Sequence, residues 1–204
     1  MSKVALTGNN SGTGTFTIAA PNSNNDRTLT LPDEAGTVLS SNTPLSSFPS
    51  GFANGITMAD QFRMTSNLTV NTDPITNLER TDNVSFSQIG NGMGLSSGVF
   101  TFPETGIYLV INTIRGYVTS GTDTINCTTM VSVDGGSNWD VYAQSCFGAG
   151  VPATQTGSTF AIVDVTNTSN VKVKFELSSV TNGLIEGSTS NNRTHFTFIR
   201  LGDT

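Results

Sequence analysis

Apolar residues in this chain recur mainly at every second position, in short runs separated by residues that are typical of turns. In the clearest run, Val171, Val173, Phe175 and Leu177 alternate with charged residues. Because successive side chains of a strand point to opposite faces of a sheet, this period predicts a β-strand with one buried face. Similar runs predict further strands over 61–71, 83–89, 99–102, 107–111, 124–134, 139–147, 159–165 and 194–201.

This series of strands predicts the fold class. The strands fill residues 60–204 at the spacing of a sandwich, and no window has the period of a long helix. With 12% charged residues and 21 glycines, the composition favours strands joined by tight turns over surface helices. We therefore predict an all-β chain whose carboxyl-terminal part is a β-sandwich with enough strands for a jelly roll.

The segment 99–110, VFTFPETGIYLV, joins two of these strands through a turn. Pro103 fixes its own φ, and Gly106 is free to adopt a positive φ, as a chain reversal requires. A strand, a proline turn and Gly-Ile-Tyr at the start of an apolar strand resemble the globular-head family shared by complement one-q and tumour-necrosis-factor (TNF) proteins. The aromatic-rich strand close to the carboxyl terminus adds to the resemblance, which covers about residues 60–204. It implies a TNF-like jelly roll that assembles as a homotrimer.

Several strands are apolar on both faces. The strand at 107–111 has Ile107, Leu109 and Ile111 on one face and alternate apolar residues on the other. One face fills the core of the sandwich, so the second needs a different cover. Either twist and long loops cover it within one subunit, or the trimer axis that the resemblance implies covers it. For the trimer, we expect the interface to contain Tyr108, Val110, Phe196 and Phe198.

Two short strand-like runs, 15–18 and 28–31, precede the predicted sandwich. Each run is too short to bury a core alone, so this segment must pair with another chain or with the rest of the molecule. The sequences RTLTLPD at 27–33 and GTV at 36–38 resemble segments of bacteriophage tail fibres and other virion appendages. The resemblance implies that residues 1–41 attach the chain to a particle through intertwined strands. The alternative is a flexible arm.

The chain is therefore expected to have three parts. Residues 42–59 are rich in Ser, Pro and Gly and carry no charge, which predicts a linker. This linker joins the attachment segment 1–41 to the jelly-roll knob 60–204.

Charge and hydropathy argue against two classes of partner. The nine Lys and Arg residues are scattered and the formal net charge is −6, so no basic stripe can face a phosphate backbone. No apolar run approaches the roughly 18 residues that a membrane span needs. The amino terminus MSKVALTGNNSG lacks the apolar segment of a secretory signal. We therefore expect no nucleic-acid binding, no membrane insertion and synthesis in a cytosol. Together with the resemblance to virion appendages, this implies assembly into a virion in a host cytoplasm.

No pattern of catalytic or metal-binding residues stands out. The sole histidine, His195, precedes an aromatic strand, and no nucleophile can be placed beside it by spacing, which favours a packed or interfacial role. We predict that the chain is not an enzyme and needs no cofactor. Asp123, Asp134 and Asp140 offer oxygen ligands for Ca²⁺, which members of the resembled family sometimes hold near the trimer apex, but aspartates are also ordinary turn residues.

The two cysteines flank the turn sequence VDGGSNWD. If Val133 pairs with Val141 in a hairpin, Cys127 and Cys146 lie nearly opposite each other. Such a pair forms either a cross-strand disulfide or, as cytosolic assembly favours, two free thiols.

Loops with polar and aromatic side chains are the candidates for contact with a host surface. Trp139 can stack on a sugar ring while Asn and Asp neighbours bind the sugar hydroxyls, or it can pack on its own sheet. A trimer would present each loop three times and so strengthen a weak contact. The candidates for receptor contact are Tyr117, Asn138, Trp139, Asp140 and Tyr142.

These observations give three functional hypotheses. The first is a structural virion protein of a tailed phage, a trimeric fibre or knob whose amino-terminal segment binds other virion proteins and whose head binds a host-surface glycan or protein. The second is a capsid decoration or head-fibre protein, and the third is a tail-associated enzyme that degrades polysaccharide. The first two differ in where the amino-terminal segment binds, whereas the third requires a cleft with paired carboxylates.

Overall fold

The computed structural model describes residues 55–149 and 153–204, together with residues 11–15, 17, 22, 24–26 and 28. The chain divides into two units, Met1–Thr43 and Pro44–Thr204, and every strand given below lies in the second unit. The strands expected at 15–18 and 28–31 and most of the expected linker lie outside the described residues. The attachment segment and the linker therefore stay predictions.

The described part of the chain contains eleven strands and no helix. Accordingly, no helix in that part is long and apolar enough to cross a membrane. The strands are β1 Ala59–Met64, β2 Leu78–Arg80, β3 Gly94–Ser96, β4 Val99–Thr101, β5 Gly106–Val118, β6 Asp123–Ser132, β7 Asp140–Ala149, β8 Ala153–Val165, β9 Lys172–Ser178, β10 Gly183–Ile185 and β11 His195–Gly202.

Two antiparallel sheets form a sandwich. In the six-stranded sheet the order is β10-β5-β11-β1-β2. The strand β8 also pairs with β5, along the edge of β5 opposite β11. In the five-stranded sheet the order is β3-β4-β9-β6-β7. The chain passes repeatedly between the sheets, from β4 to β5, from β5 to β6, from β7 to β8 and from β8 to β9. This is the all-β jelly roll that the alternation of apolar residues predicts.

Aromatic rings from both sheets fill the space between them. Phe196 of β11 stacks on Phe175 of β9 with ring centroids 3.8 Å apart. Phe100 of β4 lies 4.8 Å from Phe198 and 5.0 Å from Phe62 of β1. Each of these rings is at most 4% exposed. Because aromatic side chains bury the largest apolar areas, this cluster is the main contact between the sheets.

The turn between β4 and β5 has the predicted form. Gly106 adopts a φ of 145°, and a Cβ atom there would approach the carbonyl oxygen of Gly202 to 2.6 Å. Two residues later, the hydroxyl of Tyr108 donates a hydrogen bond of 2.9 Å to the carbonyl oxygen of Glu104. The turn is therefore fixed by a position that only glycine tolerates and by a hydrogen bond from the core.

The predicted strand at 83–89 is wrong. These residues form a loop in which Val84 is fully exposed and Phe86, expected to face inward, is half-buried at the surface. The predicted strand at 61–71 ends early, at Met64. The structure also has three strands that were not predicted, β2, β3 and β10, each only three residues long.

One charged side chain is completely buried at the edge of the six-stranded sheet. Arg63 of β1 donates to Glu79 Oε1 at 2.8 Å and to Asn83 Oδ1 at 2.6 Å. Its second terminal nitrogen donates to Asp82 and to the carbonyl oxygen of Thr189. Because these partners lie on β2, in the loop after β2 and in the loop before β11, this guanidinium ties two surface loops to the sheet.

We expect Phe198→Ala to destabilise the sandwich strongly, because the change removes a ring from the centre of the aromatic cluster. Deletion of a buried phenylalanine side chain costs about 3–5 kcal/mol. Val84→Ala, at a fully exposed position, should change the free energy of unfolding by less than about 0.5 kcal/mol. Urea unfolding followed by tryptophan fluorescence measures both. Equally small changes in the free energy of unfolding for both variants would show that the aromatic cluster does not stabilise the protein.

Candidate functional site

The outer face of the six-stranded sheet is arranged in rows that cross four strands. One row runs from Ala59 through Ile199 and Leu109 to Ile162, as the pairings of β1, β11, β5 and β8 show. The next row ends in Ile111 and Phe160 on β5 and β8. Successive rows therefore place apolar side chains next to one another on the outer face of the sheet, away from the five-stranded sheet.

We call this surface the apolar patch. Phe160 is 68% exposed, Leu201 is 55% exposed and Ile162 is 52% exposed. Apolar side chains this exposed and this close together are uncommon on monomeric proteins and mark a surface for association. The patch consists of Ile107, Leu109, Ile111, Phe160, Ile162, Ile199 and Leu201.

The residues expected at the trimer interface lie on the opposite face of the same strands. The structure places them in the core with 0% exposure, so they cannot contact a second subunit, and the prediction assigned the two faces the wrong way round. Burial also raises the pKa of Tyr108 to about 12. The residues concerned are Tyr108, Val110, Phe196 and Phe198.

One charged residue marks the outer face of β5 in the sequence. Arg115 has the same alternation as Ile107, Leu109 and Ile111, and a charge in a strand normally faces solvent. The side chains that alternate with Arg115 are the buried ones, including Tyr108. This signal would have assigned the faces correctly.

Beyond the apolar patch, the same face is polar. Glu186 forms ion pairs with Arg115 at 2.7 Å and with Arg193 at 2.8 Å. His195, on β11 opposite Thr113, is partly buried, and this burial lowers the pKa of its imidazole. The face therefore has the apolar patch, with the exposed Asp164 opposite Ile107 at its end, and a charged region beyond its other end.

The loop between β6 and β7 is held by one carboxylate. Asp134 Oδ1 accepts hydrogen bonds from the backbone N–H of Asn138 at 2.9 Å and of Ser137 at 3.0 Å, and from the hydroxyl of Ser132 at 2.8 Å. The bonds from Asn138 contribute most to lowering the pKa of Asp134 to about 2. Asp134 acts here as a turn residue.

Trp139 packs on its own hairpin. Its indole N–H donates to the carbonyl oxygen of Gly136 at 3.0 Å, and the Lys174 ammonium lies 4.9 Å from the ring centroid. Lys174 is in turn paired with Asp73 at 2.7 Å. Both the polar edge and one face of the indole therefore contact groups of the same chain. This agrees with the alternative that Trp139 packs on its own sheet and does not stack on a sugar.

The five candidates for receptor contact do not form one site. Asn138, Trp139, Asp140 and Tyr142 lie together on the β6–β7 hairpin. Tyr117 lies near the end of β5, next to the start of β6, whereas the hairpin follows the end of β6. The ten residues of β6 span roughly 30 Å. Tyr117 is therefore at the opposite end of the sandwich from the hairpin.

The three aspartates considered for Ca²⁺ are not brought together. Asp123 accepts backbone hydrogen bonds from Thr181 at 3.0 Å and Asn182 at 2.8 Å, so its carboxylate fixes a loop. The Asp134 carboxylate accepts the hydrogen bonds of the β6–β7 loop. In the described part of the chain, no group of three or more carboxylate, histidine or cysteine side chains could hold a metal ion. The hypothesis that these aspartates form a calcium site is wrong.

The cysteines are free thiols on opposite faces of the five-stranded sheet. Cys127 pairs with Ser145, and Cys146 pairs with Asn126, so the two cysteines differ by one position in register. The assumed pairing of Val133 with Val141 is wrong because Val141 lies opposite Met130. The register shifts by one residue at a bulge beside Met130, which the sum of residue numbers could not anticipate.

We expect one reactive thiol per chain in the native protein. Cys146 is exposed, whereas Cys127 is buried and its burial raises the pKa of the thiol to about 12. A thiol-reactive dye should label the native protein once, and Cys146→Ser should abolish the rapid labelling. Labelling of neither cysteine in the native wild-type protein, with recovery of both thiols after reduction, would instead show a disulfide.

A cleft that the sequence did not indicate lies beside β1, at the edge of the six-stranded sheet. It has a volume of about 370 Å³ and lies between the loop after β2 and the loop before β11. A smaller cavity of about 180 Å³ adjoins it and shares Gln61 and Phe86. No local pattern points to this site, because its two loops are about a hundred residues apart.

Comparison with known proteins supports the fold. No family model and no curated protein matches this chain. Among solved structures, Eiger TNF from S. frugiperda matches with a TM-score of 0.56 and 14% identity, over 74% of this chain and 96% of that chain. Murine APRIL at pH 8.5 matches with a TM-score of 0.51 and 12% identity, over 71% of this chain and 98% of that chain. At these identities the likeness shows a TNF-like jelly-roll fold and nothing beyond it.

Proposed function

We propose that this chain is a structural protein of a tailed-phage virion, a trimeric fibre or knob whose jelly-roll head binds the host surface. The apolar patch on the outer face of a TNF-like sandwich is the observation that carries the trimer. The resemblance of residues 27–33 and 36–38 to virion appendages supports the phage assignment and an attachment role for residues 1–41.

Burial against other copies of the chain explains the composition of the patch. An exposed apolar surface on strands is an aggregation hazard unless it is covered. A closed ring of copies covers the same patch on every copy and leaves none exposed. The ion-paired side chains Arg115, Glu186 and Arg193 limit the patch at one end, so the contact is confined to the apolar patch.

The trimer is tested by a charge placed in the patch. Ile162→Asp puts a carboxylate into the proposed interface, where an unpaired buried charge costs about 3–5 kcal/mol. Because Ile162 is 52% exposed in the single chain, the sandwich itself should tolerate the change. Light scattering should give a trimer mass for the wild type and a monomer mass for the variant.

Val70→Asp is the matched control. Val70 is 61% exposed and lies in the loop between β1 and β2, outside the patch, so this variant should remain a trimer. A monomeric wild-type protein would contradict the proposal. A trimer that survives Ile162→Asp would show that the chains associate through a different surface.

The position in the virion is tested separately. Antibodies to the chain should label tail fibres in electron micrographs of intact particles, and an excess of purified full-length protein should slow adsorption of the phage to its host. Labelling of the capsid with no effect on adsorption would favour the second function, a capsid decoration or head-fibre protein. Absence of the chain from purified particles would overturn both.

The described cavities do not favour the third hypothesis, a polysaccharide-degrading enzyme. The cavity of about 330 Å³ beside β6 contains one carboxylate, Asp123, which is bonded to loop N–H groups. The smaller cavity, of about 180 Å³, contains Asp60, which is paired with Arg80 at 3.0 Å. Glycoside hydrolysis commonly needs two carboxylates facing one bond, so we propose a binding protein rather than an enzyme.

A further inference from the structure

The cleft beside β1 is lined by uncharged polar side chains and one aromatic ring. Carboxamides from three parts of the chain converge there, from β1, from the loop after β2 and from the loop before β11. We call it the amide cleft. Its carboxamides and ring belong to Gln61, Asn83, Phe86, Asn191 and Asn192, and hydroxyl groups complete the lining.

The two loops that form the walls of the amide cleft are held by the buried side chain of Arg63. The buried Arg63 donates to the side-chain oxygen of Asn83 in one loop and to the carbonyl oxygen of Thr189 in the other. Glu79 and Asp82 pair with the same guanidinium and more than compensate its positive charge. Both loops are thus held in place without a ligand, as an efficient binding site requires.

A chain of hydrogen bonds orients the carboxamides. Gln61 donates from Nε2 to Thr197 Oγ1 at 2.8 Å and accepts at Oε1 from Asn192. The amide nitrogen of Asn83 donates to the carbonyl oxygen of Ser190 at 3.3 Å. Each carboxamide has two N–H groups and two lone pairs, so these bonds leave both donors and acceptors for a ligand.

The chemistry of this lining matches a sugar. Since no Asp, Glu, Lys or Arg of the described chain lines the amide cleft, a charged ligand would have no partner there. Sugar hydroxyls both donate and accept hydrogen bonds, as these carboxamides do. Phe86, at the boundary with the smaller cavity, offers a ring against which the C–H face of a sugar can pack. The smaller cavity continues with Ile89, which suits the next apolar sugar face.

We propose that the amide cleft binds a neutral glycan. This inference rests on the proposed host-binding function and moves recognition from the β6–β7 hairpin to the edge of the six-stranded sheet. Gln61 and Phe160 are the two ends of one row across four strands, about 14 Å apart at the usual strand spacing. Because the apolar patch ends on β11, contact between copies leaves Gln61 of β1 and the cleft loops available.

The proposal is tested on an array of neutral and acidic glycans with the full-length protein. The wild type should bind neutral glycans, and the best of them should then be titrated as a free oligosaccharide by calorimetry. Phe86→Ala should weaken its affinity at least tenfold. Asn191→Ala is the second variant, because the exposed Asn191 side chain can be shortened without loss of a described side-chain hydrogen bond, and it should weaken binding severalfold.

Two further variants separate the cleft from other surfaces. Val70→Ala lies away from the amide cleft and should bind as the wild type does. Trp139→Ala tests whether the glycan binds to the β6–β7 hairpin instead. Loss of binding in Trp139→Ala with retention in Phe86→Ala and Asn191→Ala would overturn the proposal, as would binding to acidic glycans alone or to no glycan.

Adsorption to host cells separates failure of this inference from failure of the proposed function. If the wild-type protein adsorbs and Phe86→Ala and Asn191→Ala adsorb equally well, the head binds the host through another surface and the cleft assignment is wrong. If the wild type does not adsorb, the host-binding function fails, whereas glycan binding that depends on Phe86 would still establish the cleft as a glycan site.

Discussion

The two-residue alternation along β5 and β11 determines what this molecule buries and what it displays. A strand that slips by one residue exchanges its two faces completely. Here the large rings, including Tyr108 and Phe198, face the five-stranded sheet, whereas Leu109 lies on the outer face in one row with Ile162 and Ile199. The same alternation therefore accounts for both the aromatic core and the apolar patch. Because the core is complete within one chain, the patch is free to serve association without weakening the sandwich.

Much of the fold follows from the sequence, because its strands are long enough to show their period. The alternation at 171–177 and the Pro103–Gly106 turn predict β9 and the junction of β4 with β5. The strands β2, β3 and β10 could not be predicted in this way, since three residues carry no period. In addition, β2 and β10 pair with strands that are remote in the chain, β1 and β5. The face of β5 was predictable from Arg115.

The candidate site was less predictable, for a physical reason. Arg63 looks like a surface residue in the sequence, yet it is buried because loops that are remote in the chain supply its partners. Phe86 has the spacing of a strand residue, but its loop carries it to the edge of the amide cleft. Sites built from such loops depend on tertiary contacts, which local patterns do not encode.

The central claim is that copies of this chain cover the apolar patch, and methyl NMR with a soluble paramagnetic reagent tests it most directly. In the full-length protein, the Ile162 methyl signals should be protected, whereas those of the fully exposed Val84 should broaden. In a single chain Ile162 is 52% exposed, so protection requires a covering surface. Equal broadening of the Ile162 and Val84 signals would show that the patch is open to solvent and would contradict the account.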